Sequence, residues 1–381
     1  MYCGLTVPCA SADFGRQRDG VQTRRVWRRG GDGVCAGGKT RRMRNGDGAT
    51  RDADRGSAQH QVKDAASEAW RLEAPPNVWL TEPLTPCTVM HHGVRQILVN
   101  RQTAFQNMQV VDIGPYGRAL VLDQRMQLAA NDEFMYHEPL VHLPCVMHGA
   151  PKRVLVLGGA DGGAAREALK WRGVEQVTLV DIDGEVVEAC RTHLSGIHQG
   201  AFDDPRFRLH VGDALAFLES SREYYDVILG DLTDPVEQGP SFNLFARESF
   251  SLVRQRLTPG RGVFAIQSGS TSLVEEPHLF ARMNKTLASV FRHVVPFQSF
   301  VPTFGTPLGF CACTDQPQFD VEIDLSCSRV NEVVASHLDP STLKAFDGLF
   351  AQGVLGIPKC VREAIERETV VYSMDDSHDS E

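Results

Sequence analysis

The stretch Val154-Leu-Val-Leu-Gly-Gly-Ala-Asp-Gly-Gly163 decides the fold of this chain. Four apolar residues, typical of a buried strand, lead directly into a cluster of glycines. Residues 164–170, Ala-Ala-Arg-Glu-Ala-Leu-Lys, are good helix formers. Strand, glycine turn and helix start in this order predict the first unit of a doubly wound α/β domain. A phosphate would be repelled by Asp161 in the turn, so we expect a neutral or cationic ligand there.

The same alternation continues along the chain. It predicts a Rossmann-like, mostly parallel sheet of the methyltransferase type with helices on both faces. The last two strands should form an antiparallel hairpin at the edge, because Pro302 and Gly305 separate them. Strands are predicted at 153–157, 176–181, 207–211, 225–231, 262–267, 293–298 and 308–314, with helices at 163–172, 184–193, 213–220, 246–256 and 275–291.

Composition divides the chain into three parts. Residues 1–75 are rich in Gly, Arg, Asp and Ser without periodicity, and we predict a disordered basic tail, a neutral segment or else a nucleic-acid arm or organelle-targeting peptide. Residues 76–148 predict a small antiparallel β domain followed by the start of a catalytic helix that should end near Pro144. Residues 149–381 should form the Rossmann-like domain.

Charge and cysteine usage exclude several classes of protein. The net charge is −9, but residues 1–55 carry about +6, which leaves about −15 on the remainder. So acidic a body is a poor nucleic-acid binder and attracts cations. No apolar run reaches the roughly 18 residues of a membrane span. Ten cysteines without a Cys-x-x-Cys pair indicate reduced thiols and a cytoplasmic enzyme, although the tail leaves organelle targeting open.

Acidic residues recur where four successive predicted strands end, and ligands of such sheets bind at that edge. Each carboxylate could instead cap a helix, an alternative that the sequence leaves open. Asp181 ends the second strand, where a carboxylate can bind a ribose diol, and Asp213-Ala214 follows the third, where an adenine would lie. Asp181 and Asp213-Ala214 therefore predict an adenosine-containing ligand. The full set at the strand ends is Asp161, Asp181, Asp183, Asp213, Asp231 and Asp234, with Gln267 after the next strand.

The segment Asp231-Leu-Thr-Asp-Pro235 carries two carboxylates three residues apart on a loop with a proline. Such a pair can bind an ammonium group, orient the amine and accept its proton, although a capped turn would also use these residues. An aliphatic amine has a pKa of about 10 and must lose a proton before it can attack. The loop thus indicates chemistry on an amine.

A metal site is not expected. His137-Glu138 begins like a zinc-protease motif, but His142 follows five residues later, about 500° around a helix, so the two rings lie on different faces. Neither a Gly-x-Ser-x-Gly elbow nor a phosphate-binding lysine motif is present.

Several motifs in the right order resemble the polyamine aminopropyltransferases, the spermidine synthase family, over residues 77–374. The glycine turn at 158–163 is similar to the family's Gly-Gly-Gly-Asp-Gly-Gly, with Ala160 in place of one glycine. Val180 to Asp183 is similar to the strand end Glu-Ile-Asp, and Asp231 to Pro235 to its acidic signature. The remaining matches are Phe105-Gln106-Asn107, Leu122-Asp123, Gln127, Asp132-Glu133-Phe134 and Tyr136-His137-Glu138.

The resemblance implies transfer of an aminopropyl group from decarboxylated S-adenosylmethionine, a co-substrate, to a polyamine, with no metal or other cofactor. It implies Asp231 as the catalytic carboxylate. The implied donor-binding residues are Gln106, His137, Asp161, Asp181, Asp213, Ala214 and Pro240, and the implied acceptor-binding residues are Tyr136, Asp231, Asp234 and Gln267. It also implies a homodimer or homotetramer whose partners are small polyamine and nucleoside substrates.

Within the family, the details resemble thermospermine synthases, which use spermidine as acceptor. Phe304 stands where spermidine synthases carry a tyrosine, and the acidic loop 231–240 is long; Leu308 departs from that subgroup. The alternatives are a spermidine synthase that uses putrescine, an S-adenosylmethionine methyltransferase with the same sheet, and a non-catalytic polyamine-binding protein. Asp161 argues against the methyltransferase. Intact Asp231 and Tyr136 argue against the non-catalytic binding protein.

Overall fold

The computed structural model describes residues 76–85, 87–233, 242–272 and 278–374. The predicted tail, residues 1–75, lies outside the described residues, as do the predicted site residues Asp234 and Pro240.

The described residues contain thirteen strands, and they match the predicted alternation closely. The strands are β1 Val78–Thr85, β2 Thr88–Val94, β3 Gln96–Gln102, β4 Asn107–Asp112, β5 Arg118–Leu122, β6 Arg125–Ala129, β7 Arg153–Gly158, β8 Gln176–Asp181, β9 Phe207–Val211, β10 Val227–Asp231, β11 Val263–Ser270, β12 His293–Phe300 and β13 Pro307–Thr314.

Eleven α-helices fall within the described ranges. They are α1 Phe134–His148, α2 Gly163–Leu169, α3 Gly184–His193, α4 Ser195–His198, α5 Ala214–Ser220, α6 Arg247–Arg256, α7 His278–Ala288, α8 Val321–Asp324, α9 Cys327–His337, α10 Gly348–Leu355 and α11 Lys359–Arg367. None of these helices is both long and apolar enough to cross a membrane.

A seven-stranded sheet organises the larger part of the molecule. Its order is β12-β13-β11-β10-β7-β8-β9, and the five strands from β11 to β9 are parallel. The hairpin of β12 and β13 adds antiparallel to β11 at the edge. These findings confirm the predicted Rossmann-like sheet. Val154 and Val156 pack on one side of β7 and Leu155 and Leu157 on the other, because a central parallel strand is covered on both faces.

Two antiparallel sheets precede the large one. Strands β1 and β2 form a hairpin, and β3 to β6 form a meander in chain order, with the tight turn Gly114–Tyr116 between β4 and β5. Both sheets are antiparallel, as the sequence predicts for this part of the chain, and β4 buries Met108 and Val110 on one face.

Helix α1 is longer than predicted. The expected end near Pro144 is wrong, because the helix continues to His148 with Pro139 and Pro144 inside it. A proline inside a helix leaves the carbonyl four residues earlier without its backbone donor. For Pro139 that carbonyl belongs to Met135, and the Ser299 hydroxyl donates to it at 2.6 Å. All residues from 136 to 148 are buried, so packing stabilises the helix around its prolines.

Glu138 joins helix α1 to the C-terminal part of the chain. Its buried carboxylate accepts the backbone N–H groups of Lys344, Ala345 and Phe346 at 2.7, 2.8 and 2.7 Å. A carboxylate that accepts several backbone donors satisfies groups that would otherwise be buried without partners.

We expect Glu138→Ala to lower the free energy of unfolding by about 3 kcal/mol or more, because it leaves three backbone donors unsatisfied. Urea denaturation followed by circular dichroism measures the change. The control is Glu332→Ala on an exposed pair with Arg329, which should stay within about 0.5 kcal/mol of the wild type. Equal stabilities of the two variants would contradict this role of Glu138.

Candidate active site

Two carboxylates at the rim of the sheet meet two side chains of helix α1. Asp161 lies in the glycine turn after β7, and Asp231 ends the neighbouring strand β10. Tyr136 Oη donates to Asp231 Oδ1 at 2.7 Å. His137 Nε2 lies 3.3 Å from Asp161 Oδ1 and 3.9 Å from Asp231 Oδ2. The carboxylates are 9% exposed and the imidazole 2%, so water screens these charges little.

The glycines of the turn make room for these groups. Gly158 has a φ of +81°, and a Cβ there would overlap the backbone oxygen of Asp231. The next residue, Gly159, donates its N–H to that same oxygen at 2.9 Å. A Cβ on Gly163 would overlap the His137 ring. The close approach that the glycines permit is therefore between parts of this chain, and it brings Asp161, Asp231 and His137 together.

Asp231 has the properties of a general base. Its buried Oδ2 has no hydrogen-bond partner among the described residues. Burial and the negative charge of Asp161 raise the pKa of Asp231 to about 6, against the opposing effects of His137 and of the Tyr136 hydrogen bond. A carboxylate with such a pKa is ionised at neutral pH yet accepts a proton more readily than an exposed one.

The surroundings of His137 favour its positively charged form. Its Nδ1 lies 2.7 Å from Glu133 Oε2, and its Nε2 faces Asp161, so both ring nitrogens donate protons to carboxylates. Burial lowers the pKa of the ring, but Asp161 and Glu133 outweigh it and the pKa lies well above its ordinary value. One donor atom each from His137, Asp161 and Asp231 lies within 4.8 Å of the others, the spacing of a metal site. A doubly protonated imidazole has no lone pair for a metal, so a metal could bind here only by displacing the proton on Nε2.

The residues predicted to bind the nucleoside follow the neighbouring strands. Asp181 ends β8, and its Oδ1 accepts the N–H of Asp183 at 2.9 Å. Burial, reinforced by the nearby carboxylates, raises the pKa of Asp181 to about 6. Asp213 caps helix α5 by accepting the N–H of Ala216, and Ala214 is the buried first residue of that helix. The capping role that the sequence left open thus holds for Asp213.

Gln106 reaches this rim from the N-terminal meander. Its Nε2 donates to Asp183 Oδ2 at 3.1 Å, and Thr103 Oγ1 donates to the same oxygen at 2.6 Å. Asp183 also caps helix α3. Asp183 therefore connects the N-terminal meander to the edge of the large sheet. The sequence did not indicate this role.

Aromatic rings surround Tyr136 on the side where an acceptor is predicted. Its ring centroid lies 5.3 Å from that of Phe310 and 6.4 Å from that of Phe304, both in edge contacts. Gln267 is buried on β11 in register with Phe310. Of the predicted acceptor residues, Tyr136 and Asp231 are in contact, while Asp234 lies outside the described residues.

Two further residues that the sequence analysis gave no role support His137. Arg166 donates from Nη1 and Nη2 to the two oxygens of Glu133 at 3.0 and 2.9 Å. The i, i+4 spacing of Glu133 and His137 on a helix was the available signal for their contact. The spacing of Arg166 in the sequence carried no such signal.

Two family models match this chain. Residues 133–323 match the family model "Spermine/spermidine synthase domain", and residues 78–130 match "Spermidine synthase tetramerisation domain".

Two named relatives each match more than three quarters of this chain. A polyamine aminopropyltransferase of Synechococcus sp. (strain JA-2-3B'a(2-13)) is 44% identical over 78% of this chain and 96% of its own length. The thermospermine synthase ACAULIS5 of Arabidopsis thaliana is 33% identical over 77% of this chain and 85% of its own length.

Among solved structures, a spermidine synthase in complex with the transition-state analogue AdoDATO superposes with a TM-score of 0.70. The sequence identity is 25%, and the match covers 79% of this chain and 100% of that one. The chain therefore belongs to the spermine/spermidine synthase family, and it is a polyamine aminopropyltransferase.

Proposed function

We propose that this enzyme transfers the aminopropyl group of decarboxylated S-adenosylmethionine to spermidine, which gives thermospermine and methylthioadenosine. The observation that carries the transfer chemistry is the pair formed by Tyr136 and Asp231, in which Asp231 keeps one buried oxygen available for an amine. The family uses decarboxylated S-adenosylmethionine as a co-substrate and no metal cofactor.

The reaction is a direct displacement. The acceptor's amine nitrogen attacks the aminopropyl carbon next to the sulfonium, the new C–N bond forms, and the C–S bond electrons leave with methylthioadenosine. Asp231 Oδ2 accepts the proton that the amine releases, while Tyr136 holds the other carboxylate oxygen in place. Because the sulfonium is already a good leaving group, orientation of the two substrates supplies much of the lowering of the barrier.

Asp161 favours the decarboxylated donor over S-adenosylmethionine itself. Its carboxylate is buried beside Asp231 and would attract the terminal ammonium of the aminopropyl group. The α-carboxylate of S-adenosylmethionine would instead meet two like charges in a region of low dielectric. This argument supports aminopropyl transfer against the methyltransferase alternative. Asp181, Asp213, Ala214, Gln106 and the undescribed Pro240 are proposed to bind the nucleoside.

Phe304 supports spermidine as the acceptor. Its ring contacts Tyr136 beside the proposed catalytic carboxylate, so the acceptor's chain would run along an apolar wall at this point. A longer polyamine buries more methylene groups against such a wall than putrescine does. Gln267 and Asp234 are proposed to contact the same acceptor. The match of residues 78–130 to a tetramerisation model supports a homo-oligomer.

Incubation of the purified enzyme with decarboxylated S-adenosylmethionine and either putrescine or spermidine tests the proposed acceptor. We expect spermidine to be used with the higher kcat/KM. Chromatography against spermine and thermospermine standards identifies the isomer. Preferred turnover of putrescine, or spermine as the product, would contradict the proposal.

We expect Asp231→Asn to lower kcat by about 10²- to 10⁴-fold, because the amide cannot accept the proton of the amine. Steady-state release of methylthioadenosine measures the effect. The control Asp339→Asn replaces an exposed helix-capping carboxylate far along the chain and should leave kcat unchanged. An Asp231→Asn enzyme with full turnover would exclude this role.

The pH dependence follows from Asp231. It must be ionised to act as a base, and its pKa is raised to about 6. As the pH falls through about 6, kcat/KM should therefore decline, by about tenfold per pH unit below that value. A pH series of kcat/KM in constant-ionic-strength buffers measures this. An acid limb near pH 4, the ordinary range of an aspartate, would disprove the assignment.

Phe304→Tyr should shift the acceptor preference toward putrescine. The added hydroxyl can hydrogen bond an acceptor ammonium near Tyr136, which we expect to raise the putrescine-to-spermidine ratio of kcat/KM by about tenfold. Competition between the two acceptors, read by product chromatography, measures the ratio. The control Phe300→Tyr alters an exposed ring on β12 and should leave the ratio as in the wild type.

A further inference from the structure

A buried network of charges lies behind the proposed site. Arg166 on α2 stands between two carboxylates: it binds Glu133 through both terminal nitrogens, and its Nε donates to Glu167 Oε1 at 2.7 Å. All three side chains are at most 7% exposed. Lys170 Nζ reaches Glu167 Oε1 at 2.7 Å from the partly exposed outer end. The network therefore connects the surface of the protein to His137 through one arginine and two carboxylates.

Two histidines of helix α1 contact this network in opposite ways. His142 Nε2 lies 2.8 Å from Glu167 Oε2, but its Nδ1 accepts the indole N–H of Trp171 at 3.1 Å. An accepting nitrogen holds a lone pair, so His142 carries one proton. His137 has a carboxylate at each nitrogen and, among the described residues, no donor facing it, which favours two protons. The neighbours of His137 thus select its cationic form.

We propose that Glu133 and Arg166 are positioning residues for the aminopropyl transfer: Arg166 fixes the Glu133 carboxylate, which holds His137 as an imidazolium facing Asp161 and Asp231. This inference rests on the proposed function of Asp231 as the base. It assigns roles to two residues that touch neither substrate.

The imidazolium keeps Asp231 ionised. The titratable groups that face His137 are Glu133 on its own helix, Asp161 after β7, and Asp231 and Tyr136. Asp231 itself faces His137, Tyr136 and Asp161, and it also senses Asp181 after β8. His137 is the one cation among these described neighbours, and opposite charges within about 4–6 Å lower the pKa of a carboxyl group. Loss of the ring's charge would leave Asp231 among like charges.

Glu133 is itself held in its charged form. Burial alone would raise the pKa of Glu133, but His137 and Arg166 lower it to about 2. Arg166 donates a further hydrogen bond to the carbonyl of Ile197 on α4. This second contact holds the guanidinium independently of Glu133. The order of dependence therefore runs from Arg166 to Glu133, and from Glu133 to His137.

The first test is the protonation of His137 in the wild-type enzyme. NMR of protein labelled with ¹⁵N-histidine reports how many ring nitrogens carry protons, and loss of a signal in His137→Gln assigns the ring. We expect both nitrogens of His137 to be protonated at pH 8. A single protonated nitrogen at that pH would overturn the inference, whether or not the enzyme transfers aminopropyl groups.

The second test is Glu133→Gln, which removes the charge with little change of shape. We expect the titration of His137 to move down by about one pH unit, and the alkaline limb of kcat/KM, on which the ring loses its charge, to move down with it. Arg166→Gln should act in the same direction. The matched control is Lys170→Met, which breaks the outer contact to Glu167 and should leave both profiles as in the wild type.

The outcomes separate this inference from the proposed function. Wild-type activity together with Glu133→Gln profiles that match the wild type would overturn the positioning roles and leave the function standing. Absence of any aminopropyl transfer by the wild type would overturn the function, while the NMR result would still decide the state of His137. If the Glu133→Gln or Arg166→Gln protein fails to fold by circular dichroism, the wild-type measurement decides the question.

Discussion

Asp161 and Asp231 are buried side by side with a histidine against both of them, and its protonated form stabilises the pair. Two carboxylates at this distance would repel each other strongly in a region from which water is largely excluded. His137 offsets that repulsion in the free enzyme, and the ammonium groups of the substrates would add to it in the complex. The two carboxylates can therefore stay ionised, as the binding of cations requires. The histidine limits the electrostatic cost of burying them together.

The sheet supplies the geometry for this arrangement. Strands β7 and β10 are neighbours and parallel, so the residues that follow them emerge at one edge. The glycine turn then lets the backbone of β10 and the ring of His137 approach within contact distance. Helix α1 adds the side chains of Tyr136 and His137 to this edge. Glu138 joins the same helix to the C-terminal segment. The fold and the proposed chemistry therefore depend on one helix lying across the rim of the sheet.

The same arrangement explains why membership of the family leaves the acceptor open. In the proposed mechanism the residues around Asp231 serve the transfer itself, since each acceptor presents an amine to the same carbon. We attribute preference among polyamines to the wall beyond Tyr136, where Phe304 lies, and to Asp234. In this proposal, the transfer reaction and the preference among acceptors depend on different residues of the site.

The sequence by itself determined the alternation of strands and helices and the edge at which the carboxylates gather. Hydrophobic runs and glycines act locally, and parallel strands place their ends together whatever the details of packing. Helix α1 could not be predicted to its end, because a proline at 144 predicts a stop and only burial of the whole helix overcomes it.

Tertiary structure alone decided the partners of the charged groups. Arg166 meets Glu133 across 33 residues and Gln106 meets Asp183 across 77, and each contact depends on how one element packs against another. The charge favoured for His137 belongs mostly to the same class, since Glu133 is a neighbour on its own helix but Asp161 and Asp231 come from separate strands. Local sequence specifies which residues are available, whereas the charge each one carries is set by what the fold places beside it.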